Sequence, residues 1–163
     1  MKNVFEITDY EKYVENNDWT EAFEKAVKDI ENNGGGTLFV PAGTYNTRSI
    51  ELKSNTTLYL DNGSEISFSD EIEKYELLEG NFEGITRAMF KPCIYMKDAK
   101  NVTIKGEGTL NGNGRKWWER IWAKTLEEAR PCLVYFENCE NVKLLDIQIL
   151  LHGQFTHCFL KML

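Results

Sequence analysis

The chain has 163 residues, of which 42% are hydrophobic and 28% charged, a balance that supports one domain with a real core and excludes wholesale disorder. Its formal net charge of -7 excludes a general nucleic-acid binder, which needs a basic surface to displace counterions. The first residues, Met1-Lys2-Asn3-Val4-Phe5-Glu6, lack a continuous apolar run, so neither a secretory signal nor a membrane span is predicted and a cytoplasmic location is expected.

In chain order, residues 18–32 are predicted to form one amphipathic helix, because Ala22, Phe23, Ala26, Val27 and Ile30 recur at helical spacing. Asp18 and Glu21 suggest a capping box at its start. Asn33-Gly34-Gly35-Gly36 ends it, since glycine accepts the left-handed conformation that a helix C-terminus favours. Short β-rich runs follow at 37–40, 44–48, 50–52, 56–60 and 65–68, separated by turn residues. Residues 70–90 are charged and poorly periodic and read as an excursion with some helix. Strand character returns at 93–96, 102–104 and 109–110. A second excursion, 115–130, carries Trp117, Trp118, Ile121, Trp122 and Leu126 at roughly helical spacing. Strands resume at 133–136, 142–144 and 147–150.

Three segments share one pattern, an asparagine followed by alternating β-formers: Asn55-Thr56-Thr57-Leu58, Asn101-Val102-Thr103-Ile104 and Asn141-Val142-Lys143-Leu144. Recurrence of this kind suggests a solenoid whose asparagines sit in equivalent turns and bond one another up the stack. Three unrelated strand starts in a β-sandwich would show the same repeat.

Candidate sites divide between functional and structural readings. Gly34-Gly35-Gly36-Thr37 lacks the Gly-Lys-Ser/Thr ending of a phosphate loop, and Gly106-Glu107-Gly108 opens no helix, so neither predicts a nucleotide. Cys93, Cys132, Cys139 and Cys158 lack metal-ligand spacing and read as buried thiols; no metal or cofactor is predicted. The tryptophans either pin an excursion to the scaffold or offer a stacking surface to a pyranose, and Trp118 is the candidate for the latter. Arg130, before Pro131, either points a guanidinium into a cleft or ends the excursion. No carboxylate pair suggests glycosidic chemistry, which needs two carboxyl groups at a set separation.

Residues 20–45, from Thr20-Glu21-Ala22-Phe23 through Gly34-Gly35-Gly36-Thr37 to Pro41-Ala42-Gly43-Thr44-Tyr45, resemble the helix-to-first-coil signature of pectate-lyase-like β-helices. Asn101-Val102-Thr103-Ile104, then Gly106-Glu107-Gly108-Thr109-Leu110-Asn111-Gly112-Asn113-Gly114 and Trp117-Trp118, resemble glycoside hydrolase family 28, the polygalacturonases, with Asn111 where an aspartate is usual. Arg130-Pro131 with Leu133, Phe136, Cys139 and Asn141-Val142 extends the likeness to about Leu150. The resemblance implies an all-β fold, a right-handed parallel β-helix with an N-terminal capping α-helix. It implies inverting hydrolysis of a pectic polysaccharide or oligogalacturonide, with catalytic aspartates beyond Leu163 and none transferable to this chain. A truncated, inactive fragment is therefore expected, prone to aggregation where its last coil is uncovered. A non-catalytic carbohydrate-binding or adhesion β-helix is the alternative, and a calcium-dependent lyase a weaker one.

The chain reads as a single domain, 1–163, with an exceptional tail. Residues 151–163 depart from the family's Asn-Ser-Pro…Trp-Thr-Ile-His-Pro pattern, yet codon choices in a frame shifted by one nucleotide restore Ser-Pro-Trp-Thr-Ile-His-Pro. The expectation is an out-of-frame tail, in which His152 and His157 are accidental.

Overall fold

The computed structural model describes residues 3–82, 85–128 and 130–150. Val4–Glu6 forms β1, Ile7–Tyr13 a 3-10 helix and Thr20–Asn32 helix α1. Three parallel strands then turn one short coil: β2 (Gly36–Val40), β3 (Gly43–Thr47) and β4 (Ile50–Glu51). The next coil repeats the order with β5 (Thr56–Leu60) and β6 (Ser64–Phe68), then a hairpin of β7 (Leu77–Phe82) and β8 (Ile85–Phe90), then β9 (Ile94–Lys97). A further coil holds β10 (Lys100–Gly106), β11 (Thr109–Asn111), helix α2 (Arg115–Trp122) and β12 (Val134–Glu137). The described chain closes with β13 (Glu140–Leu145) and β14 (Gln148–Leu150).

The first sheet runs β1-β2-β5-β10-β13, the second β3-β6-β11-β14 and the third β4-β9-β12, every pairing parallel. This is the expected right-handed parallel β-helix, the hand that parallel crossovers take. Its coils lengthen where excursions enter. Gly36 pairs with Thr56 in the short coil, whereas stacked asparagines bond across 46 and then 40 residues. Both excursions leave after the second sheet and return before the third.

Alternation along each strand sends one set of side chains inward, where equivalent positions stack. Leu38, Leu58 and Ile104 form one such column, Tyr45, Ile66 and Leu110 another, and Ile50, Ile94 and Val134 a third. Helix α1 lays Ala22, Phe23, Ala26, Val27 and Ile30 across the N-terminal end of this core. Its C-terminus behaves as predicted, with Gly34 at φ +82° and its amide donating to the Glu31 carbonyl at 2.9 Å. Its N-terminus does not. Trp19 is the N-cap, held by its amide on the Asn46 carbonyl (2.8 Å) and by edge-on packing against Tyr45. Asp18 instead accepts the Thr20 amide at 2.9 Å, and Glu21 pairs with Lys25 at 3.9 Å, so the Asp18–Glu21 box is replaced.

The turn before the first sheet carries the asparagine ladder. Asn55, Asn101 and Asn141 all have φ of 57–60°. Asn141 Nδ2 donates to Asn101 Oδ1 at 2.8 Å, and Asn101 Nδ2 to Asn55 Oδ1 at 3.1 Å. The opposite turn needs glycine for space: at Gly106, φ +121°, a Cβ would lie 2.0 Å from the Leu60 carbonyl oxygen.

The first excursion differs from the sequence reading. Beyond a short 3-10 turn at Ile72–Lys74 it is an antiparallel hairpin, packed by Leu78 and Met89 against Tyr95 and Tyr135 on the outer face of the third sheet. The second excursion packs on the first: Trp117 of α2 joins Ile72, Tyr75, Phe90 and Leu126. Cys93 and Cys132 are buried thiols and Cys139 a half-buried one, and these three form no disulfide. Cys158, His152, His157 and the tail 151–163 lie outside the described residues. Among the described residues no helix is long and apolar enough to cross a membrane.

Candidate functional site

The outer face of the second sheet is polar. Its strands alternate, so while Tyr45, Ile66 and Leu110 point inward, Asn46, Ser67 and Asn111 share a register column on the outside. Hydrogen bonds tie neighbouring coils across this face. Asn111 Nδ2 donates to Glu65 Oε1 at 2.9 Å, and Asn113 Nδ2 to Ser67 Oγ at 2.7 Å and to the Phe68 carbonyl at 2.9 Å. The Asn113 amide in turn donates to Asn111 Oδ1 at 3.1 Å. The asparagine at position 111 supplies a donor that an ionised aspartate lacks, having no proton to give Glu65.

This face opens into a cleft of about 560 Å³, bounded by the turn Glu15-Asn16-Asn17-Asp18, the start of α1, Asn46–Arg48, Phe68–Glu71, Lys74 and Asn113. The turn is set against the sheet edge by a bridge from Asp18 to Asn46, and left-handed Asn16 and Asn17 make it tight. Arg48 stands at the cleft floor, its Nε 3.3 Å from Thr20 Oγ1 and 3.8 Å from Asp18 Oδ2. Lys74 pairs with Glu71 at 2.6 Å and Lys116 with Asp70 at 3.0 Å. Asp18, Asp70 and Glu71 are thus each engaged by a cation, and Asn16, Asn17, Asn46 and Asn113 line the opening together with Glu15 and Glu21. Such a surface suits hydrogen bonding to a hydroxyl-rich ligand. Among the described residues no group of three or more His, Cys, Asp or Glu side chains could hold a metal ion.

Helix α2 stands beside the cleft and is anchored to its wall by Lys116 on Asp70 and Arg120 on Glu73. The Glu73 carboxyl is held below its ordinary pKa, first by its own backbone amide and then by Arg120. The tryptophans divide. Trp117 is buried, edge-on to Tyr75 and Phe90 with ring centroids 5.3 and 5.0 Å away. Trp118 and Trp122 are exposed and adjacent, 5.4 Å between centroids. Arg130 is half-buried ahead of the third-sheet strand. Neither Trp118 nor Arg130 lines the cleft.

Sequence reasoning missed Asn46, Arg48 and Asn113. Asn113 lay in a quoted motif, but Asn46 and Arg48 become visible only once the coils are in register.

The sequence profile of Glycosyl hydrolases family 28 matches residues 33–160. A protein named polygalacturonase from Persea americana is 30% identical over 153 residues, covering 86% of this chain and 30% of its own length. One named probable polygalacturonase from Vitis vinifera is 27% identical over 140 residues, covering 80% of this chain and 28% of its own length. A hyperthermoactive exopolygalacturonase from Thermotoga maritima, known from its crystal structure, superposes with a TM-score of 0.77 at 26% identity, covering 91% of this chain and 42% of that one. The chain thus spans less than a third of the length of these curated relatives.

Proposed function

Because the chain belongs to glycosyl hydrolases family 28, a family of pectin-degrading hydrolases, we propose that the outer face of its second sheet and the adjoining cleft form one end of a groove for a pectic polysaccharide or oligogalacturonide. The observation that carries this reading is the hydrogen-bonded column from Asn111 and Asn113 to Glu65 and Ser67, which gives neighbouring coils one continuous polar floor. A linear polymer needs such continuity along the stacking axis. On this reading the present coils bind and orient the chain of sugars. The carboxyl pair that protonates the leaving oxygen and activates water in inverting hydrolysis is supplied by further coils. Trp118 and Arg130 are proposed as contacts to the substrate outside the cleft. The same polar floor, in which Asp18, Asp70 and Glu71 are each engaged by a cation, also favours a second reading, a module that binds carbohydrate without cleaving it.

Two assays on the chain test these readings. Electrophoresis in gels containing polygalacturonate is expected to show retardation. Asn46→Ala, which removes an amide from the cleft, is expected to weaken that binding roughly three- to tenfold, the worth of one hydrogen bond. Incubation with polygalacturonate is expected to release no new reducing ends. Release would overturn the assignment of bond cleavage to further coils, and no retardation would overturn the pectic groove itself.

A further inference from the structure

We propose that Trp118 and Trp122 form an accessory carbohydrate platform, separate from the cleft, that takes the apolar face of a galacto-configured pyranose while the neighbouring Arg115–Glu119 pair supplies the polar contacts. The proposal rests on the pectic reading above for its ligand class.

Among the described residues, the contacts that fix helix α2 lie on one side of it. Trp117 fills the cluster of Tyr75 and Phe90, and Lys116 and Arg120 reach Asp70 and Glu73 on the cleft wall. Two positions further along a helix lie roughly 200° around its axis, so Trp118 and Trp122 face away from that wall. They are 37% and 67% exposed, although large aromatics ordinarily bury most of their surface. Among the described residues, nothing in the anchoring of α2 uses them. Arg115 and Glu119 fall on the same face by the three- and four-residue spacing of a helix. Their ion pair, 3.0 Å long, leaves the two side chains 84% and 52% exposed. A pair so well solvated contributes little to stability and is free to exchange partners.

The chemistry selects the occupant. A galacto-configured ring presents a contiguous run of C–H groups on one face, which packs on an indole, and hydroxyl or carboxylate groups at its edge. A guanidinium binds a carboxylate through two parallel hydrogen bonds, so Arg115 reads a uronate, while Glu119 accepts from hydroxyls. The two indole planes are inclined by 52°, which suits successive rings of a twisted chain better than one flat aromatic.

The test is affinity electrophoresis of the full chain in gels holding either polygalacturonate or an uncharged galactan. The variants are Trp122→Ala, the double Trp118→Ala/Trp122→Ala, and Arg115→Ala. Each indole removed is expected to weaken binding of both polymers about three- to tenfold. Arg115→Ala is expected to weaken only the polygalacturonate interaction. Because Trp122 is largely exposed, Trp122→Ala is expected to melt like the parent chain, which keeps its binding readout interpretable. Unchanged retardation of the double variant in both gels overturns the platform and leaves the groove standing. A change from associated to monomeric sedimentation, without a change in retardation, overturns it in favour of pairing between copies of the chain. Tryptophan-dependent retardation in galactan with none in polygalacturonate overturns the uronate-reading role of Arg115, and the pectic groove with it.

Discussion

The Thr56 hydroxyl is buried without a hydrogen-bond partner among the described residues, in a column that continues at the next coil with Val102. A hydroxyl taken from water into such a place forfeits its hydration, and replacing it by a methyl group of the same shape removes the penalty. Thr56→Val is therefore expected to stabilise the chain by roughly 1 kcal/mol, read as a rise in Tm of about 2–4 °C. An unchanged or lower Tm would show that the hydroxyl has a partner in solution. Asn111 is the opposite case, a polar group whose donor is used. Asn111→Asp turns its hydrogen bond with Glu65 into two facing carboxylates and is expected to cost about 1–3 kcal/mol at neutral pH. The sign with pH follows from the repulsion. It raises the folded-state pKa of the pair above the unfolded one, so the penalty is full above that raised pKa and disappears as pH falls through it. Urea midpoints of parent and variant should converge in acid; a constant gap across the pH range would contradict the charge argument.

At the scale of elements, the asparagine ladder is a turn device and a cross-coil tie at once. Asn101 accepts from Asn141, donates to Asn55 and holds a left-handed backbone. Asn101→Ala loses both bonds and the side-chain amide that makes asparagine tolerant of a φ of +57°, for an expected cost of about 2–3 kcal/mol. Asn101→Gly keeps the backbone relaxed and should recover about 1 kcal/mol of that loss. Equal destabilisation by alanine and glycine in denaturant melts would mean that the ladder bonds, and not the turn geometry, set the cost. The two excursions follow a different logic. Each is too short to fold alone, and they hold because Trp117 of one plugs the cluster of Tyr75 and Phe90 of the other. The first hairpin has no clean alternation to announce it, since only Leu78 and Met89 need to meet the third sheet.

At the scale of the whole molecule, the described residues are asymmetric along the coil axis. At the N-terminal end, β1 pairs with the first sheet and α1 closes the core. At the other end of the described residues, Val142, Leu144, Ile147 and Ile149 are only partly buried, while Leu145 and Leu150 are 46% and 42% exposed. In a solenoid each coil is stabilised chiefly by its neighbours, so local stability should fall along this gradient. Native-state hydrogen exchange is expected to be slowest at Leu58 and Ile104 and fastest at Leu144 and Ile149. Uniform protection along the axis would sink that expectation.

Consecutive residues by themselves determined the coil rhythm, the asparagine turns, the helix over Ala22–Ile30 and its glycine stop. These depend on backbone preferences within a few positions, which one sequence displays directly. The tertiary structure alone decided the rest. Asn111 meets Glu65 and Asn113 meets Ser67 across 46 residues, and that register depends on how much chain the first excursion consumes. It also decided that Trp117 turns inward while Trp118 and Trp122 turn out, because the side of α2 that is buried is set by where Tyr75, Phe90, Asp70 and Glu73 stand in the coil before it. Helical spacing marks a tryptophan-rich face, but only the packing of one coil on another says which of those tryptophans belong to the core and which are left for a ligand.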